Sequence, residues 1–182
     1  GQMLARAFRY QDAEKVGRKA LQGFREVLGN DHPRTVFALV NYATSLEAAK
    51  SPDAERFLRE ACERCRAVLG PRDPLNVEAT NGLAVCLNRL GRLEEAETTY
   101  RECELLSSQV YGESNPQTLT VRTNLARFVN DRAERPWEAE KLYRGILAEW
   151  PARSADERAI STATTLGELL ITLGRAEEAR AL

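Results

Sequence analysis

Four cysteines and one histidine are the residues best suited to metal binding, redox exchange or nucleophilic chemistry: Cys62, Cys65, Cys86, Cys103 and His32. Cys62-Glu-Arg-Cys65 has the spacing of a zinc site or a redox pair. Zinc would need two further ligands, and Cys86 and Cys103 are the only thiols left. Laid over its own repeats, the chain puts Cys65 in register with Phe24 and Leu106, and Cys103 with Ala20 and Ala61. Those are expected core positions, where a free cysteine behaves as a small hydrophobe. Buried thiols, no metal and no disulfide are therefore expected. His32 is the sole candidate for a general base near neutral pH. No serine or cysteine signature accompanies it, and catalysis needs several residues in mutual geometry. It precedes Pro33, as Asp73 precedes Pro74 and Asn115 precedes Pro116, which reads as a helix N-cap with proline at the first helical position. The pairs Glu94-Glu95 and Glu177-Glu178 could suggest paired carboxylates, but they open helices, where acids suit the positive helix end. They are expected to be solvated. The expectation is no enzyme, no catalytic residue and no cofactor.

The balance of charge narrows the partners. Among 182 residues, 26 basic side chains face 27 acidic ones, for a net charge of -1. That leaves no broad positive field to gather phosphates, which excludes nucleic acid as the main ligand. No apolar run approaches the length of a membrane span. The first ten residues carry Arg6 and Arg9 within a helical pattern, unlike a signal peptide. A cytoplasmic location is expected, with no membrane partner.

A fixed period organises the chain. Leu28-Gly29, Leu69-Gly70 and Tyr111-Gly112 recur at spacings of 41 and 42, and Pro33, Pro74 and Pro116 stand four residues after each glycine. Tyr42-Ala43, Leu83-Ala84, Leu125-Ala126 and Leu166-Gly167 follow in register, and Gly91-Arg-Leu-Glu-Glu-Ala96 returns 83 residues later as Gly174-Arg-Ala-Glu-Glu-Ala179. Ala13, Ala54, Ala96, Ala139 and Ala179 share one place. Each period predicts two helices. Val77, Leu83, Ala84 and Leu87 line one face of the first, and Leu93, Ala96, Tyr100, Cys103 and Leu106 one face of the second. All seven prolines fall at predicted junctions (33, 52, 71, 74, 116, 136 and 151), away from helix interiors where each would cost about 3 kcal/mol. In the fourth copy Asp156 takes the cap and Glu157 replaces the proline. The small residues Ala43, Ala84, Ala126 and Gly167, with the second-helix alanines, are expected where helices cross closely. Such hairpins bury their faces by stacking. The expected organisation is one repeat domain over 1–182: a partial hairpin 1–29, repeats at about 30–70, 71–112 and 113–155, and an incomplete repeat 156–182. The first segment is expected to hold the end of one first helix and then a second helix, and the whole to be cut from a longer array. Fraying near 174–182 or weak end-to-end self-association is expected there.

These residues resemble tetratricopeptide repeats, through Gly91-Arg-Leu-Glu-Glu-Ala-Glu97, the small-residue pairs and the helix pairing. The period, the connector Leu28-Gly-Asn-Asp-His-Pro-Arg-Thr35 and Asn124-Leu-Ala126 are similar to the longer, kinesin-light-chain-like subtype. The resemblance implies an all-α solenoid of stacked antiparallel hairpins in a right-handed superhelix, working as a scaffold or adaptor that binds a peptide or partner helix along a concave groove lined by first helices. A regulatory or sensor array within a larger signalling protein, of the nucleotide-binding receptor kind, is the alternative it leaves. The groove positions it implies are Phe37, Val40 and Thr44 in the first complete copy, and Glu78, Asn81, Val85, Asn88 and Arg89 in the second. Thr120, Thr123, Arg127 and Asn130 follow in the third, and Ser161, Thr164 and Glu168 in the fourth. Among them Glu78, Asn81, Val85, Asn88, Arg89, Thr120, Thr123, Arg127, Asn130 and Glu168 are the candidate peptide-binding residues. Asparagine offers donor and acceptor, and arginine a fork of donors suited to a peptide backbone or an acidic side chain. Val40, Thr44, Ser161 and Thr165 stand where the repeats that clamp chaperone C-termini carry several of their polar ligands, so that activity is not expected.

Overall fold

The computed structural model describes residues 2–132, 134–150 and 157–182, with side chains from residue 14 onward. Asp156, Pro151 and the side chain of Ala13 therefore lie outside the described residues. The helices are α1 (Gln2–Leu28), α2 (Pro33–Ala48), α3 (Ala54–Arg64, continued by a π-helical turn at Cys65–Leu69), α4 (Pro74–Arg89), α5 (Leu93–Tyr111), α6 (Pro116–Asn130), α7 (Pro136–Glu149), α8 (Glu157–Thr172) and α9 (Ala176–Arg180). Among the described residues there is no strand. No helix there is long and apolar enough to cross a membrane. Two compact units are present, Gly1–Leu106 and Ser107–Leu182, with the boundary inside α5. In the first, α1 packs on α2, α2 on α3, and α4 on both α2 and α3. In the second, α7 packs on α6 and α8, α8 also meets α6, and α9 packs on α8.

The opening segment differs from the sequence expectation. Residues of α1 form one unbroken helix, not the end of one helix followed by another. The stretch has no proline, and its Gly17-Arg18 pair, unlike Gly91-Arg92, lies within the helix without reversing the chain.

Helix starts follow the predicted chemistry. His32, Asp73 and Asn115 have extended backbones, and each side chain accepts a hydrogen bond from the N–H two residues on: Arg34 to His32 Nδ1 at 3.1 Å, Leu75 to Asp73 at 2.9 Å and Gln117 to Asn115 at 2.9 Å. Each cap satisfies one orphan donor and is worth about 1 kcal/mol. Two residues past each proline a buried polar side chain reaches back along the chain. Thr35 donates to Phe24 O at 3.4 Å, Asn76 to Pro71 O at 3.1 Å and Thr118 to Gly112 O at 2.8 Å, each fixing the start of a first helix against the segment before it. Between the helices of a hairpin, Gly91 and Gly174 adopt φ of 75° and 78°, and Lys50, their counterpart in the first complete repeat, is held at φ 56°. A residue with a Cβ is strained in that left-handed conformation.

Packing follows the small residues. Ala43, Ala54, Ala84, Ala96, Ala126 and Ala139 have no exposure at all, so a longer side chain at any of them would have to be accommodated within the core. Gly167 departs from this, because a Cβ there would meet nothing within 4 Å. The close approaches lie instead at Gly17 and Gly82, where a Cβ would stand 2.9 Å from Tyr42 Cδ2 and Leu58 Cδ2. Val77, Leu83, Ala84 and Leu87 are all buried, as are Ala96, Tyr100 and Cys103, whereas Leu93 is exposed and Leu106 and Phe24 are half-buried. Ala20 is exposed on α1 and so is not a core residue there.

Two substitutions test this account. Ala96→Leu should lower stability by about 1–3 kcal/mol, because extra methylenes have no room. Lys50→Gly should raise it by about 1 kcal/mol by relieving the left-handed strain. Thermal melts check both, and an unchanged melt for Ala96→Leu would show that this helix contact is not close.

Candidate functional site

Thiol and imidazole chemistry is absorbed into the structure. Cys62, Cys65, Cys86 and Cys103 are all buried and unpaired by disulfides. Burial pushes the Cys65 and Cys103 thiols up to about 12, so both are protonated and unreactive near neutral pH. Cys103 Sγ meets the Val77 carbonyl at 3.5 Å, and Cys62 Sγ lies 3.9 Å from the Thr80 hydroxyl. Among the described residues no group of three His, Cys, Asp or Glu side chains could hold a metal ion.

In the first unit, α4 presents Glu78 and Arg89 to solvent and Asn81, Val85 and Asn88 half-buried. Loss of part of its water raises the Glu78 carboxyl above its ordinary value, although an edge of the residue stays exposed. Arg89 is tied down: Nη2 reaches Cys86 Sγ at 3.5 Å, and Nε lies 3.7 Å from Glu47 Oε1 on α2. It braces two helices as well as facing outward. Val40 does not belong to an open face. It has no exposure, because Val36, Val40 and Ala43 form one stripe on α2 that turns into the core. Phe37, beside that stripe, is 55% exposed, and the Thr44 hydroxyl is turned back to Val40 O at 3.0 Å.

In the second unit, α6 and α8 enclose a cleft of about 300 Å³ lined by Thr120, Thr123, Asn124, Arg127, Glu157, Arg158 and Ser161. Thr120, Thr123, Arg127 and Ser161 are groove positions named from the sequence, here brought together by two successive first helices. Asn130 and Glu168 lie on the same helices but do not line it. Asn124, Glu157 and Arg158 escape the sequence reading, the latter two because Glu157 stands where the other copies start a helix with proline. Arg158 is positioned, with Nη1 donating to the Thr120 hydroxyl at 3.3 Å and its guanidinium 5.7 Å from the Trp150 ring centre.

Second helices carry a different arrangement. Glu95 and Glu178 are not simply solvated. In the first unit Arg92 forks Glu95 with two hydrogen bonds of 2.6 Å and also bonds Glu55 on α3. Arg59 closes the ring, 3.0 Å from Glu55 and 3.1 Å from Glu95. The second unit repeats it with Arg175 on Glu178 (2.6 and 2.7 Å) and Glu140 (2.7 Å), and Arg144 on Glu140 (2.9 Å) and Glu178 (3.0 Å). Each is a four-membered charge clamp between successive second helices. The hydrogen bonds from Arg144 and Arg175 hold the Glu140 carboxyl below its ordinary value, and those from Arg175 and Arg144 do the same for Glu178. For Glu55, partial burial works upward and the guanidiniums of Arg59 and Arg92 outweigh it, leaving it lowered too. Glu94 and Glu177, the other members of each pair, take no part in a clamp; Glu177 pairs with Arg180 at 2.7 Å.

Helical hairpins that repeat their caps, alanines and charge clamps define a helical-repeat protein. Family models described as tetratricopeptide repeat match residues 1–74, 75–148 and 161–182, and the chain belongs to that family. Solved structures agree in fold. BtubC (BKLC) from P. vanneervenii superposes with a TM-score of 0.82 at 20% identity, covering 95% of this chain and 70% of that one. A Podosopora anserina chain with nearly identical TPR-like repeats, assigned to kinesin light chain, gives 0.78 at 16% identity over 99% of this chain and 86% of its own. A point variant of that protein gives 0.80 at 17% identity over the same shares, 99% and 86%. Comparison with curated proteins finds no match. The fold is an all-α helical-repeat solenoid of the kinesin-light-chain-like type, and such repeats serve in general as non-enzymatic protein-interaction scaffolds.

The clamps carry a pH signature. A carboxylate whose folded pKa is depressed contributes stability that is complete above its unfolded pKa and is lost as the pH falls through the folded value. The ordinary value is 4.5 and the clamp glutamates lie below it. Wild type should therefore melt above Glu140→Gln by a constant margin at neutral pH, and the margin should shrink below pH 4.5. Equal margins at about pH 3 and about pH 7 would show that the clamp does not contribute through its charge.

Proposed function

We propose that this chain binds an extended peptide or helix of a partner protein along the face formed by first helices, and that the α6–α8 cleft is an anchoring point. The observation that carries the reading is the cleft itself. It opens between two first helices, and its lining is polar side chains on rigid elements, not on loops. A groove of this kind accepts an extended segment by side-chain contacts while the neighbouring helices hold their geometry. The second-helix face supports the reading less well, because its arginines are matched to carboxylates within the fold. Glu78, Asn81, Val85, Asn88 and Arg89 on α4 are proposed as contacts in the first unit, and Asn130 and Glu168 as flanking contacts in the second.

Selection of a displayed peptide library on the whole chain, followed by calorimetry with the selected peptides, tests this. Ser161→Trp fills the cleft from an exposed position and should weaken binding by about tenfold or more. Thr98→Trp, on the exposed second-helix surface of α5, should leave it unchanged. Both variants should melt as wild type does, since exposed substitutions shift stability by about 0.5 kcal/mol or less. Loss of binding with Thr98→Trp but not with Ser161→Trp would move the site to the second-helix face.

A further inference from the structure

Helix α1 leaves one apolar face uncovered. It meets α2 through Gly17 and Leu21: a Cβ at Gly17 would stand 2.9 Å from Tyr42 Cδ2, and Leu21 is 3% exposed. Val16, Ala20, Gly23 and Val27 follow one another at intervals of four, three and four, which makes them a single stripe at 3.6 residues per turn. Val16 is 68% and Val27 81% exposed, Ala20 is exposed, and a Cβ on Gly23 would meet nothing within 4 Å. The repeat covers the same place elsewhere: Ala61, 41 positions after Ala20, has no exposure. Lys19 and Glu26 flank the stripe on one side, and both are exposed. Glu26 accepts from the neutral Gln22 at 2.8 Å, and neither charge forms an ion pair with another described residue.

We propose that this face pairs with its own copy, so that two α1 helices lie antiparallel about a two-fold axis. The stripe reads the same from either end. Turned end for end about the point between Leu21 and Gln22, Val16 falls opposite Val27 of the second copy, and Ala20 opposite Gly23. A two-fold interface requires self-complementarity of this kind. The small residues sit at the crossing and let the backbones approach, and a valine closes each end. An antiparallel two-fold brings like sides of the helices together. Lys19 therefore faces Glu26 of the second copy, about 3 Å off level along the axis, and the symmetry makes two such pairs. In a parallel pair Lys19 would face the side that carries Gly17 and Phe24, and its charge would find no partner. Charges at the rim of a contact fix its register more than its strength, and here they select the antiparallel one.

Sedimentation equilibrium on the whole chain tests this. A reversible dimer should form with a dissociation constant of about 0.1 mM, the scale of a small transient interface. Gly23→Arg should leave only monomer. Its melt should stay at or above that of wild type, because arginine forms helix better than glycine and the Cβ has open space. Lys19→Glu and Glu26→Lys should each weaken the dimer by about fivefold, and the two together should restore it. Ile160→Arg, on α8 at a position 60% exposed, should leave the dimer intact. A chain that stays monomeric to about 1 mM, a dimer that survives Gly23→Arg, or a dimer lost with Ile160→Arg would each overturn the inference. So would a double charge reversal no tighter than either single one, since the antiparallel register would then be excluded.

Discussion

Full burial of alanine recurs at one place on each helix of a hairpin. Ala43 and Ala54, Ala84 and Ala96, and Ala126 and Ala139 are without exposure, the first of each pair on a first helix and the other on the second helix of the same hairpin. Leu46, Leu58, Leu87 and Leu125 are buried as well. Burial also crosses between hairpins, as the packing of α4 on both α2 and α3 and of α8 on both α6 and α7 records. Hairpins that bury their faces by stacking in this way repeat.

Apolar burial is not directional, so it does not by itself decide how far one hairpin slides along the next. Directional contacts settle that. The caps at His32, Asp73 and Asn115 fix where each first helix begins, and the buried side chains of Thr35, Asn76 and Thr118 bond each start to the segment before it. The charge clamps join successive second helices at set residues. Exposed ion pairs add little stability individually. Four groups in mutual contact have a narrower geometry than one pair, and a slip of one helical turn would break both contacts that cross between the helices, Arg59–Glu95 and Arg92–Glu55 in one ring, Arg144–Glu178 and Arg175–Glu140 in the other. The clamps act as register marks more than as a source of stability.

The parts of this structure visible in the sequence are those whose causes are local. A proline after Asp or Asn, a glycine after a leucine and an alanine at a fixed interval each act within a few residues, and their repetition at 41 or 42 positions makes them stand out. The parts that escape depend on residues far apart. Arg59 and Glu95, or Arg144 and Glu178, are brought together only by stacking, so in the sequence the glutamates look like ordinary solvated residues at helix starts. One signal is present: Glu55 and Arg59 share their spacing with Glu140 and Arg144, as do Arg92 and Glu95 with Arg175 and Glu178. Val40 is a groove position by family register alone, whereas Val36 and Ala43, in helical spacing with it, set the buried stripe of α2. The cleft is half legible. Its α6 side follows from the repeat register, but Arg158 takes its place only through Trp150 and Thr120, which no local pattern connects.

Arginine serves two opposite ends in this fold, and the difference lies in its neighbours. Arg59, Arg92, Arg144 and Arg175 meet two carboxylates each, and Arg89 meets Glu47 and Cys86. Their forks are occupied, and a ligand would have to displace an internal partner already held at short range. Arg127 occupies a first helix whose neighbours at the cleft are threonines with their protons given to backbone carbonyls. Composition alone, with acids and bases nearly equal, hides this distinction. It appears once each guanidinium is assigned its partners.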